Sequence, residues 1–160
     1  MVRKPSAGLL AFRRNGDRVE FLLVHPGGPY WEHRDDSSWS IPKGEYEPDE
    51  EPLDAARREF VEETGFEPTG PFTPLTTLMQ PNGKRVSAWA IEGDFDAEAV
   101  RSNTFTMEWP PRSGVQTEFP EVDRGAWFDA EEARRKLFPG QVGFIDELLG
   151  QLALLPRRDS

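Results

Sequence analysis

Two apolar runs lie near the start of the chain, Ser6–Phe12 and Val19–Val24, separated by Arg13-Arg14-Asn15-Gly16-Asp17. Asn-Gly supplies the positive φ angles of a tight hairpin turn, so this spacing predicts two antiparallel strands. The second run (VEFLLV) is nearly continuous instead of alternating, which predicts burial on both faces. His25-Pro26-Gly27-Gly28-Pro29 ends it, and a polar, aromatic-bearing loop continues through Tyr30, Trp31 and His33 to Trp39.

From Pro52 to Thr64 the pattern changes to a helical one, with Leu53, Ala56 and Phe60 on one face. Pro52 suits the first turn, acids at 49–51 suit the positive end of the dipole, and Gly65 suits the C′ position. Leu75–Gln80, a Pro81-Asn82-Gly83 turn and Arg85–Glu92 predict a second hairpin. Trp127-Phe128 reads as a short strand. A helix N-capped by Asp129 follows to about Leu137, then an amphipathic helix over about 141–154, with 156–160 expected to be a frayed tail. The segment 95–125, with Phe105, Trp109, Arg112 and Gly114, fits no regular element; a loop that long is expected to pack on the core or shape a ligand pocket. Strands and helices interleave without a strict βαβ rhythm, which predicts a mixed sheet flanked by helices, and 160 residues suit a single domain over 1–160.

Charge narrows the partners. Nineteen basic and 29 acidic side chains give a net charge of −10, and no run of Lys and Arg exceeds two, so no DNA or RNA tract is expected. Zero Cys excludes disulfides, zinc–thiolate sites and thiol nucleophiles, and two His (His25 and His33) do not build a multi-His metal site. No apolar run reaches the roughly 18–20 residues that span a bilayer, so no membrane is expected. Gly8–Phe12 is too short for the core of a signal peptide, and the expected compartment is the cytoplasm.

The chemistry concentrates in the predicted helix. Glu59, Glu62 and Glu63 stand at i, i+3 and i+4 and share one face, where like charges repel by a few tenths of a kcal/mol per exposed pair. Arg58, four residues before Glu62, relieves part of that; a hard divalent cation relieves it fully, and carboxylate oxygens without His or Cys are what Mg²⁺ or Mn²⁺ prefers. Taken alone, such a stripe is usually a solvated helix face. The spacing around it decides otherwise. Gly-x5-Glu-x7-Arg-Glu-Φ-x-Glu-Glu-x-Gly-Φ, with Φ aliphatic or aromatic, is met at every fixed position from Gly44 to Phe66, against a chance of about 10⁻⁸ per start site at average residue usage.

At these residues the chain resembles the Nudix hydrolase family, whose signature box it matches over 44–66. The resemblance implies an α/β/α sandwich with a mixed β-sheet, and Mg²⁺-dependent hydrolysis (Mn²⁺ as substitute) of a nucleoside diphosphate linked to another moiety. Carried onto this sequence, it implies that Glu59, Glu62 and Glu63 hold the metal with the Gly44 carbonyl, while Arg58 and Glu50 orient them. Lys43 is the nearest cation for phosphate. The base lies either within the box, at Glu59 or Glu62, or on a later loop, at Glu121 in preference to Glu118. Trp39-Ser40-Ile41-Pro42-Lys43-Gly44 is similar to the approach to the box in dinucleoside polyphosphate, diphosphoinositol and some nucleoside triphosphate hydrolases. Met107–Arg112 resembles a MutT-like branch of predicted nucleoside triphosphate pyrophosphohydrolases. A nucleoside triphosphate or dinucleoside polyphosphate is therefore the expected small-molecule partner, with ADP-ribose and diphosphoinositol polyphosphates as alternatives. Tyr30, Trp31, Phe105 and Trp109 are candidates to stack on a base. A non-catalytic nucleotide-binding module is the rival class, and a homodimer is left open.

Overall fold

The computed structural model describes residues 3–154; the tail expected at 156–160 lies outside them. Strands β1 (Ser6–Asn15) and β2 (Arg18–Pro26) form the first hairpin, with Asn15 opposite Arg18 so that Gly16 and Asp17 make the turn. Phe21–His25 are all buried, as a strand covered on both faces requires. β3 (Lys43–Glu45) pairs antiparallel with the start of β1, bringing Gly44 opposite Ala7. α1 (Pro52–Thr64) follows, and Gly65 closes it in the left-handed region at φ 81° with its N–H on the Val61 carbonyl.

β4 (Thr73–Pro74), β5 (Leu78–Met79) and β6 (Arg85–Glu92) come next, and β6 lies parallel to β1. The predicted second hairpin is thus present, but its first arm is split in two. Thr76 is drawn out of the ladder, donating its N–H and hydroxyl to Glu147 at 2.8 and 2.9 Å. The segment 95–125, unassigned in the sequence reading, contains an antiparallel hairpin, β7 (Thr104–Glu108) with β8 (Gln116–Pro120), separate from the main sheet. Its half-buried positions alternate with exposed ones in both arms, but Trp109-Pro110-Pro111 sits in the connection and obscures that period. β9 (Val122–Asp129) is longer than Trp127-Phe128 suggested, because it pairs along β2 from Glu20 to Pro26, with a bulge at His25/Pro26. α2 (Ala130–Lys136) starts from a capping box on Asp129 and Glu132, and α3 (Val142–Ala153) completes the described chain.

The main sheet has seven strands in the order β4-β6-β1-β2-β9, with β3 beside β1 and β5 beside β6. Alternation along β1 splits the core into two layers. Leu10 and Phe12 face α3 through Phe144, Ile145 and Leu148, whereas Ala7, Leu9 and Ala11 face α1 through Ala55, Ala56 and Phe60. Helices therefore cover both faces of a mixed sheet, the expected α/β/α sandwich. Among the described residues no helix is long and apolar enough to cross a membrane.

Phe60 is the largest side chain that α1 buries, and it is fully enclosed. Phe60→Ala is expected to lower unfolding stability by about 3–5 kcal/mol in a urea titration; a loss below about 1 kcal/mol would contradict this placement of the core.

Candidate active site

The acids converge because α1 packs against β1 and β3 and is anchored at its C-terminal end. Ahead of β3, Leu9 donates its N–H to the Pro42 carbonyl at 3.1 Å, which brings β3 alongside β1. Gly44 then meets Glu59 so closely that a Cβ at that position would overlap the Glu59 carboxylate. At its end, the open carbonyls of α1 accept backbone N–H groups from the irregular segment leading to β7. Asn103 N–H reaches the Glu62 carbonyl at 2.8 Å and Arg101 N–H reaches that of Thr64 at 3.0 Å. Glu121 N–H in turn donates to the Asn103 carbonyl at 2.8 Å, and Gly27 N–H to the Glu121 carbonyl at 2.9 Å. This chain of bonds sets Glu121 opposite Glu62.

Lys43, Gly44, Glu59, Glu62, Glu63 and Glu121 consequently line one cavity of about 500 Å³. Arg58 stands behind them. It grips Glu50 in a bidentate pair (2.9 and 2.9 Å), reaches Glu59 at 2.7 Å, and lies 3.3 Å from Glu62. Those hydrogen bonds hold Glu50 below the usual carboxylate range and push Arg58 up. The cavity acids move the other way. Burial, against the hydrogen bond that Lys43 N–H donates at 3.2 Å, pushes Glu63 up to about 8. Burial also raises Glu59 and Glu121, and the charge of Glu62 adds to both. Lys43 is lowered, first by burial and then by neighbouring Lys84, while Glu63 opposes the shift.

Among the described residues, no three His, Cys, Asp or Glu side chains already converge as a metal cage. Arg58 engages oxygens of Glu59 and Glu62, and Lys43 N–H engages Glu63. The donor set nevertheless fits a hard divalent cation. It consists of carboxylates, with a glycine where the backbone approaches closest, and burial and repulsion leave these acids short of positive charge.

Of the remaining residues singled out in the sequence, Glu118 is exposed on β8 opposite Thr106 and does not line the cavity. Tyr30 is 62% exposed and meets Trp109 edge-on at 5.5 Å, also outside it. Phe105 packs over Gly28, whose φ of 98° lets the loop turn beneath the ring. Sequence reasoning missed Glu45, Lys84, Asn103 and Thr104, which line the cavity, and Ser6, whose buried hydroxyl there has no hydrogen-bond partner. Register could have found Glu45, since it is two residues from Lys43 on one strand and shares its face. Lys84 and Asn103 arrive from far along the chain and carry no local signal.

A mixed sheet between helices thus carries a carboxylate cavity at the junction of β3 and α1. The model of the NUDIX domain family matches residues 2–148, and the chain belongs to the Nudix family. Among solved structures it is similar to the Ap4A hydrolase of C. elegans in a binary complex, at 22% identity and a TM-score of 0.66 over 94% of this chain and 99% of that one. It is also similar to the NUDIX domain of Shewanella oneidensis NrtR complexed with ADP ribose, at 15% identity and a TM-score of 0.64 over 95% and 90% of the two chains. At those identities the likeness concerns the fold. An RNA pyrophosphohydrolase of Bartonella henselae is 41% identical over 65 residues; that stretch is 38% of this chain and spans only 35% of that protein's length.

The raised Glu63 carboxyl has a consequence for stability. Between its ordinary value of 4.5 and about 8 the folded chain keeps a proton that the unfolded chain releases, so stability falls as pH rises through that window. Glu63→Gln is expected to flatten this slope in EDTA. Its melting temperature should exceed that of the unaltered chain above about pH 8 and converge with it toward about pH 4.5. Parallel melting curves across that range would contradict the burial assigned to Glu63.

Proposed function

We propose that the chain works as one Nudix domain and is a divalent-metal-dependent pyrophosphohydrolase. Its substrate is a nucleoside diphosphate linked to another moiety, with a nucleoside triphosphate or a dinucleoside polyphosphate as the first choice. The observation that carries this reading is the convergence of Glu59, Glu62, Glu63 and Glu121 in one half-buried cavity beside Gly44. Retaining so many partly desolvated acids at one point costs stability, and such clusters mark sites of chemistry. The names of the similar proteins, an Ap4A hydrolase and an RNA pyrophosphohydrolase, support the same bond type.

In this reading Glu59, Glu62 and Glu63, with the Gly44 carbonyl, hold Mg²⁺, for which Mn²⁺ substitutes. When bound, the metal supplies charge neutralisation for the phosphates and acidity for a water molecule. The chain's own groups do the rest. Arg58, anchored on Glu50, keeps the Glu59 and Glu62 carboxylates oriented. Glu121 is the base: burial and Glu62 raise its carboxyl, which makes it a better proton acceptor than an exposed glutamate. Lys43 offsets phosphate charge, and an anion would restore the protonation that burial opposes. The edge-on pair of Tyr30 and Trp109 offers an aromatic surface beyond the cavity.

Glu62→Gln is expected to cut Mg²⁺-dependent hydrolysis by about 10²–10⁴-fold with a melting temperature close to that of the unaltered chain; normal turnover in this variant, or full activity in EDTA, would refute the reading. A screen of nucleoside triphosphates, dinucleoside polyphosphates, nucleotide sugars and ADP-ribose, with products read by mass, fixes the substrate. Nucleotide binding without turnover in that screen would favour a binding module. Trp109→Ala is expected to change the ranking of substrates in the same screen more than it changes stability, and an unaltered ranking would remove Trp109 from recognition.

A further inference from the structure

A second groove adjoins the carboxylate cavity and shares two of its residues. Lys43 and Lys84 line both. The rest of the groove, about 420 Å³ in volume, is walled by Trp31, Phe138, Pro81 and Pro139, with the amides of Gln80 and Asn82 at its edge. Trp31 and Phe138 meet at 90° with centroids 5.6 Å apart, and Arg34 lies over the Trp31 ring at 5.4 Å. Gly140 completes the wall where Gln80 and Pro81 pass so close that a Cβ would stand 3.1 Å from each. Tyr30 turns to Trp109 while its neighbour Trp31 turns to Phe138, so the groove is separate from the Tyr30–Trp109 surface.

The two spaces differ in charge. The cavity carries Glu45, Glu59, Glu62, Glu63 and Glu121, whereas no acid lines the groove. The lysines stand on the boundary and are fixed there. Lys43 is held in the β1–β3 ladder opposite Gly8. Lys84 leaves the Pro81–Gly83 turn, where its N–H donates to Asn82 Oδ1 at 2.9 Å and its carbonyl accepts from Gln80 N–H at 2.9 Å. Its ammonium lies 3.2 Å from Glu45, and the side chain is only 17% exposed. Two part-buried ammonium groups near one another repel, and Glu45 pairs with Lys84 only, so a further anion that spans both lysines is favoured. A phosphate chain whose scissile linkage sits at the carboxylates provides that anion. Beyond the lysines, flat aromatic and prolyl walls edged by amides suit a planar heteroaromatic ring with hydrogen-bonding edges.

We propose that Lys84 and Lys43 form a cationic sill over which the substrate's phosphate chain passes, and that the groove of Trp31 and Phe138 holds the nucleobase at its far end. This rests on the pyrophosphohydrolase reading and adds to it a phosphate-binding residue, Lys84, and a subsite for the base.

The test is calorimetric binding by the full chain with Mg²⁺ present, using a methylene-bridged nucleoside triphosphate and, separately, inorganic tripolyphosphate. Trp31→Ala is expected to weaken nucleotide binding about tenfold and leave tripolyphosphate binding unchanged. Lys84→Met is expected to weaken both by about the same factor. Melting temperatures of both variants near that of the unaltered chain establish that the fold is retained. Should Trp31→Ala leave nucleotide binding intact, or weaken both probes equally, the groove is not the base subsite. Should Lys84→Met leave both probes unaffected, Lys84 is not on the phosphate path. Absence of nucleotide binding by the unaltered chain would overturn the hydrolase reading and this one together, whereas tight binding indifferent to both substitutions overturns this one alone.

Discussion

The seating of α1 on the sheet face formed by β1 and β3 governs the rest of the structure. Phe60, Ala55 and Ala56 press the helix onto Ala7, Leu9 and Ala11, and Gly44 admits Glu59 where any side chain would exclude it. From that one contact follow the inward position of Glu59, the placement of Glu63 beneath Lys43 N–H, and the docking of the Glu62 carbonyl on the segment that leads to β7. The opposite face of the sheet, filled by Phe144, Ile145 and Leu148 of α3, provides a rigid floor but no acid to the cavity. Hydrophobic packing on both faces sets the geometry, and the carboxylates ride on it.

Packing also creates an electrostatic strain. Burial raises Glu59, Glu63 and Glu121 together, and Arg58 counters this only from one side, since its guanidinium is shared among Glu50, Glu59 and Glu62. The chain as a whole is acidic, so no distant positive field compensates. A cation bound at this point would be favoured by the same forces that make the cavity unfavourable without one. A net charge of −10, which by itself signals only solubility, thus acquires a local meaning at a handful of positions.

Much of this was legible in the sequence because it is local. The bounds of α1, its Gly65 terminus, the Asn15-Gly16 hairpin and the Asp129 cap each depend on residues within a few positions of one another. The box glutamates were legible for the same reason, as a helical stripe in a fixed spacing. What the sequence did not disclose is long-range. The β7–β8 hairpin was hidden by prolines in its connection, and the split between β4 and β5 depends on Glu147, about 70 positions away. The preference for Glu121 over Glu118 rested on its place before Trp127; what brings Glu121 to the cavity is a relay from Gly27 through Glu121 and Asn103 to the end of α1, which local sequence does not show. Lys84 and the Trp31–Phe138 groove join segments from four parts of the chain, which no periodicity reveals.

The central claim is that the stripe of Glu59, Glu62 and Glu63 beside Gly44 is a divalent metal site. Electron paramagnetic resonance of Mn²⁺ titrated into the chain after EDTA treatment and desalting tests it without reference to any substrate. A bound-Mn²⁺ signal that saturates in the unaltered chain, and is lost when Glu59 and Glu62 are both replaced by Gln in a protein of unchanged melting temperature, is the predicted result. Free Mn²⁺ spectra throughout the titration, or binding that survives the double replacement, would contradict it.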